Sequence, residues 1–200
     1  MKSLLTSALR VVGATAFLAV AGCSTHSHKP VVQGFDKAAY DKANDREVAS
    51  GLERLRAATR PYLALDSAVA AGYPREVADC LVHELHGAMG YHHVNRGYVD
   101  NKVEVEKPEI LLYERLPDGK YRLNGMEFIV PYRAWPRDSV APVLMGQKLK
   151  HEDNLNIWYL HVWAWSNNAD GVFADFNPSV QCAAGASKVF KPFIDPTRTK

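Results

Sequence analysis

Four residues in the second half of the chain have metal-binding side chains and sit in apolar surroundings. His92 lies in Gly90-Tyr91-His92-His93-Val94-Asn95, and Glu114 ends Leu111-Leu112-Tyr113-Glu114. Glu127 lies in Gly125-Met126-Glu127-Phe128-Ile129-Val130, and His161 in Leu160-His161-Val162-Trp163-Ala164-Trp165. A carboxylate or imidazole with such neighbours is costly to bury alone, so each needs a partner. Two imidazoles and one or two carboxylates converging inside a sheet would hold one divalent transition metal ion, zinc or iron. Each residue also has a plainer reading. Glu114 would pair with Arg115 or Arg122, Glu127 would bond a buried tyrosine, and His161 would be a satisfied core histidine. Their coincidence on four consecutive strands is what favours a common site.

Those strands are read at 90–95, 110–115, 121–130 and 157–165, from alternation and β-branched or aromatic content. Pro117-Asp118-Gly119-Lys120 marks a hairpin between the second and third. By parity Glu127 shares a face with Leu123, Gly125 and Ile129, and His161 with Tyr159, Trp163 and Trp165. Only one of the neighbours His92 and His93 can point inward. Upstream, residues 37–72 read as helical. Val48, Leu52, Leu55 and Ala58 form one face, Arg60-Pro61 breaks the run, and Leu63, Ser67 and Ala71 continue a second helix that stops at Gly72. Residues 131–155 and the tail after Gly171 read as connections. Helices followed by an antiparallel meander predict an α+β fold with a strongly curved, mainly antiparallel sheet.

Other chemistry is excluded or discounted. There is no nucleophile elbow, phosphate loop or dinucleotide fingerprint. His83-Glu84-Leu85-His86 spaces its histidines by three, where the zincin helix needs four, and reads as a polar loop near Cys80.

The first 22 of the 200 residues have a basic start (Lys2, Arg10), a short apolar run and small residues before Cys23, the pattern of a secretory leader. Leu18-Ala19-Val20-Ala21-Gly22-Cys23 resembles a bacterial lipobox, which implies cleavage before Cys23 and lipid on it; the alternative is a plain leader with an idle thiol. Ser24 after the cysteine resembles outer-membrane sorting, facing the periplasm. Without Lys2 and Arg10 the chain has 22 basic and 22 acidic residues, so no basic footprint for nucleic acid remains. Residues 23–35 read as a tether, with His26 and His28 solvated, and 36–200 as one domain. Cys80 and Cys182 are then an even pair in an oxidising compartment and read as a disulfide, the alternative being Cys80 as a metal ligand.

From about residue 70 to 182 the sequence resembles a family of uncharacterised bacterial secreted proteins and lipoproteins. The blocks that carry the resemblance are Gly87-Ala88-Met89-Gly90-Tyr91-His92-His93-Val94-Asn95, Pro108 to Glu114, Gly125-Met126-Glu127-Phe128, and the stretch from Leu160 to Cys182. Ala169 and Phe176 depart from the family pattern, which has proline and tryptophan there. The resemblance implies that His92 rather than His93 points inward, and supports the Cys80–Cys182 pairing. It implies no reaction. Three functions stay open: a metal-dependent or metal-handling centre, a metal-free site for a small apolar ligand among Trp158, Tyr159, Trp163, Trp165 and Phe173, and a structural envelope protein.

Overall fold

The computed structural model describes residues 37–74, 80–183 and 187–189, all within one compact unit, Asp36–Lys200. The leader, Cys23 and the tether expected at the N-terminus lie outside the described residues. Among the described residues no helix is long and apolar enough to cross a membrane.

The fold is α+β. Helix α1 (Lys37–Thr59), a 3-10 turn (Arg60–Leu63) and helix α2 (Leu65–Ala70) precede β1 (Cys80–His83), β2 (Gly87–Val94), β3 (Ile110–Arg115) and β4 (Tyr121–Pro131). A small ribbon of β5 (Val143–Leu144) and β6 (Gln147–Lys148) follows, then β7 (Lys150–Glu152), β8 (Ile157–Val162) and β9 (Ser187–Val189). The main sheet is strongly curled, with order β7-β8-β4-β3-β2-β1-β9. Its pairs are antiparallel except β1 with β9.

The helices cover one face. Leu55 of α1 and Ala68 of α2 are fully buried against Leu111, Tyr113, Met126, Phe128, Trp158 and Leu160. Val48 and Leu52 pack beside Leu55, as the helical spacing predicts. The second helix is turned from its expected phase. Leu63, Ser67 and Ala71 are exposed and Ala68 is buried, because the tighter 3-10 turn over Arg60–Leu63 rotates the chain before α2 starts.

The opposite face of the sheet is also covered. Ile110, Leu112 and Trp163 pack with Cys80, Ala88 and Val180, so the C-terminal segment closes over it. Ala88 and Asn177 exchange backbone hydrogen bonds of 3.2 and 3.0 Å. The Cys80–Cys182 disulfide, with Cα atoms 5.6 Å apart, ties this segment to β1. Closing a loop of that length is worth up to about 4.7 kcal/mol on the chain-entropy account.

Three sequence expectations change here. Cys80–His83 is a strand, not a loop, because it pairs with both β2 and β9. A bulge opposite Leu112/Tyr113 leaves Asn124 unopposed in β4, so Leu123 joins Met126 and Phe128 on the helix-covered face instead of sharing Glu127's. The strand expected over 157–165 ends at Val162. Trp163 then bonds Val172 (N···O 2.9 Å), and Trp165 turns to the helix side, where Nε1 donates to Thr59 Oγ1 at 3.0 Å.

Two glycines permit close approaches beside the candidate ligands. Gly90, at φ 89°, would put a Cβ 2.7 Å from the Tyr113 carbonyl oxygen, and a Cβ on Gly125 would lie 2.9 Å from that of Val162. Beyond Ile110, where β3 begins, the carboxylate of Glu109 accepts the Ile129 N–H at 3.0 Å. Glu109 is buried, which raises its pKa to about 8 against the hydrogen bond that favours its charged form. The native state therefore holds a proton that the unfolded chain releases above about pH 4.5, and stability from this group falls as pH rises towards 8. Glu109→Gln keeps an acceptor for Ile129 and has no charge to bury. Its melting temperature should match wild type at pH 4 and exceed it by several degrees at pH 8, since about 1 kcal/mol is about 2–4 °C at this size. Parallel melting curves across that range would refute this account.

Candidate metal centre

Glu127 and His161 are directly opposed on β4 and β8, so their side chains leave the sheet on the same face. His92 reaches that face from β2, where it is paired with Leu112 of β3, which in turn faces Gly125 of β4. Gly125 adds no side chain to that row of β4. Glu127 Oε2 lies 3.5 Å from His92 Nε2 and 3.9 Å from His161 Nε2. One donor atom from each residue falls within 4.8 Å of the others. Bonds of about 2.1 Å at a tetrahedral angle separate ligand atoms by about 3.4 Å, so the two measured spacings are close to those around one ion.

The three side chains are buried. His92 Nδ1 and both ring nitrogens of His161 make no hydrogen bond. Burial, aided by the facing His161, pushes the His92 pKa down to about 3 against the nearby Gly90 carbonyl, which leaves a neutral imidazole with a lone pair to give. Burial also raises Glu127, against the attraction of His161. The group could hold a metal ion.

Asp175 is the residue the sequence reading missed. Its Oδ1 lies 3.7 Å from His161 Nδ1, on the far side of the ring from Glu127. Burial alone would raise Asp175, but His161 and the Lys150 ammonium hold its pKa down at about 2. Tyr159 donates to its other oxygen at 3.4 Å. A carboxylate behind a histidine favours the proton on Nδ1 and leaves Nε2 free for a metal. The sequence signal was present, an acid between Phe173-Ala174 and Phe176, yet it lies in a stretch without strand periodicity.

Glu114 is not part of the group. It lies on the same face of β3 as Ile110, which opposes Glu127, but four residues further along, about 13 Å away at about 3.3 Å per residue. There it pairs with Arg122, accepts from Asn124 Nδ2 at 3.3 Å, and takes the Gln181 N–H at 3.1 Å. It anchors the C-terminal segment instead of a metal. His93 leaves β2 on the opposite face, as the alternation requires, yet is also buried. Its Nδ1 donates to the Pro74 carbonyl at 3.0 Å and its ring meets Tyr113 edge-on at 5.0 Å. The rings of His83 and His86 lie 4.6 Å apart and tilted by 49°, with His86 2.8 Å from Asp170.

The trio opens into a cavity of about 500 Å³ whose other walls include Met89, Ile110, Ile129, Ile157, Tyr159 and Phe176. Comparisons with protein-family models, with curated proteins and with solved structures found no match in any of the three.

The arrangement of Asp175 predicts a single tautomer at His161. Long-range ¹H–¹⁵N spectra of the metal-free protein should show His161 protonated on Nδ1, and Asp175→Asn should give a mixture of tautomers with the fold intact. A His161 protonated on Nε2 in the wild type would refute it.

Proposed function

We propose that this protein is a lipid-anchored component of the bacterial envelope whose domain holds one divalent transition metal ion, zinc or iron, through His92, Glu127 and His161. The observation that carries the metal reading is the convergence of three buried donors from three strands, with three of the four imidazole nitrogens buried without a hydrogen bond. Two histidines and one carboxylate are a donor set used for zinc and for iron(II) with open positions. Such an ion supplies Lewis acidity or an activated water at an open position. The chain's own residues fix the donors in place through the β4–β8 register, orient His161 through Asp175, and exclude bulk water with the apolar walls. The envelope reading rests on the leader and the lipobox ending at Cys23.

Metal content tests the centre directly. The full chain, purified and incubated with zinc or iron(II), should retain about one equivalent after gel filtration. Glu127→Gln and His161→Ala should each weaken retention at least tenfold, while Glu114→Gln should keep the full equivalent. Failure of the wild type to retain any of zinc, iron or manganese would overturn the reading in favour of a metal-free pocket.

Lipidation is tested separately. Cys23→Ser should abolish labelling by a fatty-acid analogue and move the protein from the membrane to the soluble fraction. Unchanged partition with no label in the wild type would remove the anchor.

A further inference from the structure

The cavity beside the trio has a direction, set by strand register. Glu127 and His161 oppose each other at one end. Two residues along, the same face presents the pair Ile129 and Tyr159, and two further on Ile157 opposite Pro131, about 13 Å from the donors. Leu155, 68 % exposed, belongs to the same lining. The donors therefore stand at one end, and Ile129, Tyr159 and Ile157 run away from them to an exposed leucine, with Glu152 of β7 opposite Ile157. A volume of about 500 Å³ is in the range of small-molecule sites.

Charge decides the head group. Among the described residues lining the cavity none is Lys or Arg, and three are acids: Glu127, Glu152 and Asp175. Asp175 is compensated by Lys150, and Glu152 accepts the Asn154 N–H at 2.9 Å. A divalent ion on the trio would leave an excess positive charge at the donor end after Glu127 is neutralised. Without the ion the same end repels anions.

We propose, building on the metal reading above, that the cavity binds a small amphiphile with an anionic oxygen-donor head, such as a carboxylate, on the metal and an apolar chain lying along Ile129, Tyr159 and Ile157 towards Leu155. Binding then requires the metal and grows with chain length. Each buried methylene tightens it about fourfold, equivalent to about 0.8 kcal/mol, until the chain emerges past Leu155.

The test titrates the full chain in phospholipid nanodiscs, metal-loaded and chelator-stripped, with butanoate, hexanoate, octanoate and decanoate, and with the matching alcohols and amines. Empty nanodiscs give the blank for partition into lipid. The expected result is a stepwise gain in affinity along the carboxylate series on the loaded protein and a loss of at least a hundredfold on stripping. Ile129→Glu should flatten the series while the protein still retains one equivalent of metal. A loaded protein whose carboxylate affinity does not change with chain length overturns this proposal and leaves the metal centre standing. So does preferential binding of the alkylamines by the stripped protein, which would assign the acidic end to a cationic head. Failure to take up metal at all overturns the centre itself and this proposal with it.

Discussion

The cross-strand pairing of Glu127 with His161 is the contact around which the centre is organised. In an antiparallel pair, directly opposed side chains leave the sheet on one face with Cβ atoms about 5 Å apart, close enough to share an ion. Slipping β4 against β8 by one residue would send one partner into the packing of Met126, Phe128, Trp158 and Leu160. That apolar packing opposes any such slip, because it would exchange buried hydrocarbon for a buried charge. The hydrophobic register thus also fixes the chemistry.

Burial on both faces gives the site its character. Helices α1 and α2 seal one side of the sheet, and the segment joined to β1 by the Cys80–Cys182 bond covers part of the other. Glu114 helps this covering by receiving the Gln181 N–H, and Asn177 does so by pairing with Ala88. Among the described residues, the stretch of Glu127, Ile129, His161 and Tyr159 lines the cavity. The same C-terminal segment carries Asp175 to the back of His161. The segment that completes the second core therefore also stands behind His161, which couples the stability of the fold to the geometry of the buried trio.

Water exclusion explains the perturbed groups without any appeal to unusual backbone. His92 is held neutral, Glu127 is raised, and Glu109 is raised to about 8, in each case with burial as the largest cause. Asp175 is the exception, because Lys150 and His161 outweigh its burial. Burial drives both the imidazole and the carboxylate towards their neutral forms, and His92, Glu127 and His161 together could hold a metal ion.

Much of this was legible in the chain itself. Alternation placed four of the strands within a few residues of their bounds, and the Pro-Asp-Gly-Lys turn joined two of them. Period two sent Glu127 and His161 to faces that the register then made common, and cysteine parity paired Cys80 with Cys182. These features are local, or follow from counting, so sequence carries them. The sorting of Glu114 from Glu127 was not legible. Both are glutamates at the inward parity of apolar strands, and only the offset of β3 against β4 puts them about 13 Å apart. The exchange of Leu123 between faces needed the bulge at Asn124, and the burial of His93 needed a second layer over the sheet. Asp175 gained its role from a segment without periodicity that folds back against β8. Sequence alone determined which residues were costly to leave unpaired. Tertiary structure decided which of them meet, because the meeting depends on register and chain return over long separations, and local pattern carries no record of either.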